Sequence, residues 1–164
     1  MADTEVMVRM GELAVAAKGG ATLVSIGLGS CIGLALIDRA RGIAGLAHVM
    51  LPTAPSDGAG GTPGKFADHA VPALLSELAP LGSRPGRLEA VLVGGAKMFS
   101  VGSSMDVGAR NDDAARAALA AARIPVRAAD TRGSTGRTIR VEPATGIVTV
   151  KAAGGKPAQL YPSA

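Results

Sequence analysis

The sequence predicts a single α+β domain dominated by mixed or antiparallel sheet, with helices flanking it, and three observations carry that prediction. At 164 residues the chain fits one domain, since single domains commonly run to roughly 100–200 residues. Its 23 glycines and 10 prolines interrupt it at short intervals, which favours many short strands and turns over long helices. Hydrophobic residues make up 48% but aromatic residues only 2%, so the core has to be packed from Val, Leu, Ile and Ala. No internal repeat or linker divides the chain. Residues 1–154 are assigned to the domain and residues 155–164 to a loosely held tail.

In chain order, residues 12–17 and 21–27 are apolar, β-compatible runs joined by Lys18, Gly19 and Gly20, which reads as a hairpin. The Gly27-Leu28-Gly29-Ser30-Cys31 bend follows. Ile32–Ile37 and Ile43–Leu51 form a second pair of runs around Asp38-Arg39-Ala40-Arg41-Gly42, again a hairpin pattern. Residues 53–64 hold no core-forming side chain and read as a mobile surface loop. Between Lys65 and Ala79, Val71, Leu74, Leu75 and Leu78 recur at helical spacing, with Pro72 either kinking the helix or opening its main part. Leu88–Val93 reads as a buried strand ending at Gly94 and Gly95. Asn111 is placed as the N-cap of an Ala-rich helix through Ala122, with Asp112 and Asp113 at its positive end. Strands at 124–129, 138–142 and 147–151 complete the sheet, the last two joined by Pro143-Ala144-Thr145-Gly146.

Composition narrows the function classes. The formal charge of +4 is scattered along the chain and meets almost no aromatic surface, so base stacking and a nucleic-acid partner are not expected. A modest basic excess suits an acidic protein partner. The N-terminus lacks a basic segment followed by a continuous apolar run, and no apolar stretch reaches the ~18 residues of a spanning helix. The expectation is a cytoplasmic protein without membrane insertion. One cysteine and two histidines offer no metal-ligand cluster, and residues 60–65 do not fit phosphate-loop spacing. Neither a metal nor a cofactor is expected.

Cys31 is the only cysteine, so it is either a buried apolar residue or a reactive thiol. Cysteine hydrolysis needs a thiolate, a base within reach and donors aimed at the developing oxyanion. An ordinary thiol has a pKa of about 8.5, so a neighbouring imidazole has to take its proton. Hairpin geometry allows His48 that role. A two-residue turn sets Cys31 opposite His48, a four-residue turn sets Cys31 opposite Met50 with His48 diagonal on the same face, and odd-length turns separate them. Cys31 could instead begin a helix after the bend. Gly27, Gly29 and Ser30 are the oxyanion and substrate-loop candidates, because glycine lets backbone turn sharply and approach a substrate closely.

The run SIGLGSCIGLALIDRARGIAGLAHVMLP, followed by PGKFADHAVPALLSEL, VGGAKMF and VGARN, closely resembles the chemoreceptor glutamine deamidase family, CheD, over roughly residues 10–150. The resemblance implies a sandwich-like fold related to toxin-type cysteine deamidases and conversion of receptor glutamines to glutamate. It implies Cys31 as nucleophile, His48 as general base and a hydroxyl six positions before the cysteine as third member. Here that position holds Ser25, where the family usually has threonine. A second departure is Arg132, in Asp130-Thr131-Arg132-Gly133, where paired glycines are common. The partners implied are chemoreceptor cytoplasmic domains and a CheC-type phosphatase. The rival is a non-catalytic docking regulator of either. His69 reads as a surface or structural residue, Gly94 and Gly95 as closely packed backbone, and Arg110 with Asn111 as a cap and salt bridge or a substrate contact.

Overall fold

Over residues 4–55, 62–98 and 106–163, which the computed structural model describes, the chain forms β1 (Glu5–Met7), β2 (Leu13–Ala16), β3 (Thr22–Leu28), β4 (Ile32–Asp38), β5 (Ile43–Val49), α1 (Ala67–Leu78), β6 (Glu89–Gly94), α2 (Val107–Ala121), β7 (Val126–Thr131), β8 (Arg137–Val141), β9 (Val148–Ala152) and β10 (Ala158–Tyr161). The strands make two five-stranded sheets, ordered β1-β3-β8-β9-β10 and β2-β5-β4-β6-β7. Both are mixed: β1–β3 and β6–β7 are parallel, the other pairs antiparallel.

Every residue of β4 and β5 is buried, and the reason lies in the layers. Alternate side chains of a strand point to opposite faces. Ala35 and Ile37 enter the core between the sheets, beside Leu23, Leu28, Leu46, Val91, Ile139 and Val148. Leu34 and Leu36 point the other way, into a second core with Leu74, Leu78 and Leu119 of the two helices. A strand covered on both faces needs no polar alternation, hence the continuous apolar runs.

Several readings change. The runs 12–17 and 21–27 do not pair with each other: β2 lies on β5 and β3 lies between β1 and β8. Lys18–Gly20 therefore turns the chain from one sheet to the other. The tail is not loosely held where β10 pairs with β9, and Tyr161 is buried there. β1 was not foreseen. Pro72 lies within α1. Asn111 is not an N-cap: Asp106 caps α2, accepting the Ala109 N–H at 3.0 Å, and Asn111 is fully buried further along the helix. Of the loop read at 53–64, residues 56–61 lie outside the described residues. Its end is anchored, since Gly64 packs on the Gly11 and Glu12 carbonyls and Thr62 donates to Gly11.

Candidate active site

The four residues Arg39–Gly42 connect β4 to β5, and the ladder pairs Ile32 with Val49 and Gly33 with His48. Of the two registers that left Cys31 and His48 on one face, the molecule has the one in which His48 is Cys31's diagonal neighbour. That face is turned toward the opposite sheet.

His48 is buried and its position is set by the chain's passage between sheets. After β1 the backbone leaves the first sheet and joins the second at β2. Val8 sits at that crossing, its N–H on Val24 and its carbonyl facing His48 and Ser25. The His48 backbone is held on both sides, its N–H donating to Glu12 and its carbonyl accepting from Gly11, both at 2.9 Å. Nδ1 lies 3.0 Å from the Val8 oxygen. A carbonyl only accepts, so Nδ1 carries the proton and the neutral ring keeps its lone pair on Nε2. Nε2 is buried and has no partner among the described residues. Burial lowers the imidazole pKa, against the raising influence of the Val8 bond and the Glu12 charge.

Ser25 is fully buried and donates to the same Val8 oxygen at 2.7 Å. It and His48 share an acceptor and make no bond to each other. Ser25 faces inward by regular alternation with Leu23, and a β-bulge just after it returns Leu28 to the same face. Ser25 pairs with Ile139 and Leu28 with Arg137, so three steps on β3 oppose two on β8. Gly27 takes φ +69° there, the left-handed conformation glycine adopts without strain. The bulge restores alternation, leaving Ile26 and Gly27 outside and Ser25 and Leu28 inside.

Cys31 is a free, half-buried thiol just before β4. Burial raises its pKa. With Nε2 unpartnered among the described residues, there is no hydrogen bond between thiol and imidazole, and burial of each favours its neutral form. The backbone leading to Cys31 is held on one side only. The carbonyls of Gly29, Ser30 and Cys31 accept, respectively, from Ala96 N–H at 2.8 Å, Asn111 Nδ2 at 2.9 Å and Gly95 N–H at 2.9 Å. The N–H groups of the same three residues donate to no backbone or side-chain acceptor among the described residues. Gly94 sits close beneath: a Cβ there would overlap the Cys31 carbonyl oxygen. Sequence reasoning gave Gly94 and Gly95 a packing role without seeing that what they pack against is the candidate nucleophile. It also placed Asn111 elsewhere, although the VGARN block held the signal.

An open cavity of about 420 Å³ beside His48 is lined by Met7, Val8, Arg9, Met10 and Ile26. Met10 and Ile26 are exposed, as is Met98, which lies over Gly29. His69 is exposed on α1 against Phe66, away from this face. Arg132 has φ +73°, followed by Gly133 at +71°. That left-handed pair explains why glycines suit this loop. Arg132 offsets its strain by bonding Asp112 at 2.8 Å and also Asp113. No group of three His, Cys, Asp or Glu that could hold a metal occurs among the described residues. No helix among them is long and apolar enough to cross a membrane.

These features define an α+β protein with a cysteine and a histidine on one buried sheet face. Residues 50–152 match the family model described as CheD chemotactic sensory transduction. The "Probable chemoreceptor glutamine deamidase CheD" of Clostridium kluyveri is 41% identical over 135 residues, covering 80% of this chain and 83% of that protein. The protein of the same name from Clostridium botulinum strain Hall is 39% identical over 153 residues, 92% of this chain and 94% of that one. The chain belongs to the CheD family.

Proposed function

We propose that this chain, acting in the cytoplasm, deamidates glutamine side chains of chemoreceptors to glutamate, with Cys31 as nucleophile and His48 as base. The relatives' names supply the substrate class. The observation that carries the residue assignment is the register of β4 and β5, which sets a half-buried thiol diagonal to an imidazole whose Nδ1 proton is committed to Val8 and whose Nε2 is free to accept.

His48 Nε2 takes the Cys31 proton as sulfur attacks the side-chain amide carbon. The carbonyl π electrons move to oxygen, and the undonated N–H groups of Gly29, Ser30 and Cys31 are the candidates to receive that charge. Removing one such donor typically costs on the order of 10²–10³ in rate. The imidazolium then protonates the nitrogen as the C–N bond breaks and ammonia leaves. Water, losing a proton to the same imidazole, adds to the thioester and releases glutamate and free Cys31. Gly27 serves through the bulge, and Ser25 by holding the Val8 carbonyl beneath the ring. Docking to a CheC-type phosphatase rests on family resemblance alone.

The test is mass spectrometry of a chemoreceptor co-expressed with the wild type or with Cys31→Ala. Conversion of an amide to an acid adds about one dalton per glutamine, with the wild type only. A receptor bound tightly yet never altered by the wild type would establish the docking regulator instead.

A further inference from the structure

Asn111 is fully buried near the start of α2, and its Nδ2 makes two bonds, to the Ser30 carbonyl at 2.9 Å and the Met50 carbonyl at 3.0 Å. Both partners only accept, which settles the amide's orientation: NH2 toward them, Oδ1 away. Ser30 immediately precedes Cys31, and Met50 stands two residues after His48. The β4–β5 ladder ends at Ile32 and Val49. One rung further on, where Cys31 and Met50 would come next, Met50 donates its N–H to Lys65 instead. The open end of the ladder is closed by a side chain from a different element.

Stability alone does not account for this residue. Asn is a weak helix former, and Oδ1 is buried with no partner among the described residues, a destabilising state for a polar atom. Apolar helix residues on that layer pack well, as Ala115 and Leu119 do one and two turns later. A residue that breaks the local rule at a site's edge marks function. We propose that Asn111 is a positioning residue: by holding both carbonyls with one planar NH2 it sets the separation of Cys31 from His48 and, with Gly95 and Ala96, the path of residues 29–31. This rests on the Cys31–His48 reading above.

The experiment compares wild type, Asn111→Ala and Asn111→Gln in receptor deamidation and in iodoacetamide alkylation of Cys31 against pH, with thermal melting to confirm folding. The substrate surface is untouched, so kcat is expected to fall about 100-fold, the cost of roughly 1 Å of misplacement, at unchanged KM. A purely structural Asn111 would lower the melting temperature and leave kcat of the folded protein at the wild-type value, which overturns the proposal. If Asn111→Ala does not fold, Asn111→Gln, which keeps the NH2 one methylene further out, is judged by the same kcat criterion. If the wild type deamidates no receptor, the function proposed above fails by itself and alkylation decides. An alkylation midpoint displaced in the folded variant by at least about half a pH unit upholds the clamp; a superimposable profile overturns it.

Discussion

At Cys31 and His48, burial pushes the thiol up and the imidazole down. Both shifts favour the neutral forms. The resting protein is therefore expected to alkylate slowly at neutral pH, the rate climbing with pH toward a midpoint above that of an ordinary thiol. Fast, pH-independent alkylation at pH 7 would reveal an ion pair and contradict the neutral resting state. The acid limb of kcat/KM should fall below pH 6.5, because His48 keeps its base form to a lower pH than a free imidazole. Stability follows with the sign worked out. The unfolded chain binds the His48 proton more readily than the folded one, so this contribution is complete above pH 6.5 and is lost as pH falls through the lowered folded value. His48→Gln should flatten that part of the stability profile. Of the candidate site residues, Cys31 and His48 stood out in sequence as the one cysteine and one of two histidines, whereas Ser25 was reached only through the family resemblance. The Val8 carbonyl was not visible, because every residue carries one.

Two glycines separate conformational cost from steric cost at the level of strands. At Gly27 a Cβ meets nothing within 4 Å, so Gly27→Ala should cost only the left-handed conformation, about 1–2 kcal/mol, in chemical denaturation. At Gly94, φ is +113° and a Cβ strikes the Cys31 carbonyl. Gly94→Ala should cost roughly 3 kcal/mol or more and, where folded, abolish turnover, since overpacking and strain add. Equal losses at both positions would mean that the contact with Cys31 is unimportant. The elements themselves were unevenly legible. The β4–β5 hairpin was plain from its apolar runs, but its register depended on turn length, which sequence left open between two and four residues. Lys18-Gly19-Gly20 misled because a tight turn has the same composition whether it joins partners or changes sheets. β1 and β10 escaped notice because short edge strands carry little apolar signal.

The whole molecule is closed at its far end by the segment read as a tail. Tyr161, on β10 of one sheet, donates to Glu89 on β6 of the other and lies under Arg39, 5.9 Å from the ring centroid. Burial first, then the Glu89 bond, pushes the Tyr161 pKa up to about 12. A raised folded value means this contribution is complete below pH 10.0, the ordinary tyrosine value, and disappears as pH rises toward about 12. Tyr161→Phe should remove that alkaline dependence with a modest loss of stability. Deleting residues 157–164 should destabilise further, by exposing the β9 edge. A truncated protein that melts with the wild type would return the segment to a passive tail.

The Val8 carbonyl has one more consequence. In the proposed mechanism the atom that orients the imidazole belongs to the main chain. It does not titrate, no codon change deletes it, and Val8 can exchange its side chain for another without loss of that oxygen. What has to be inherited is the route taken by residues 8–12 between the sheets. Read letter by letter, the sequence displays the proposed cysteine, histidine and hydroxyl, while the acceptor shared by His48 and Ser25 is written only in the path of the chain.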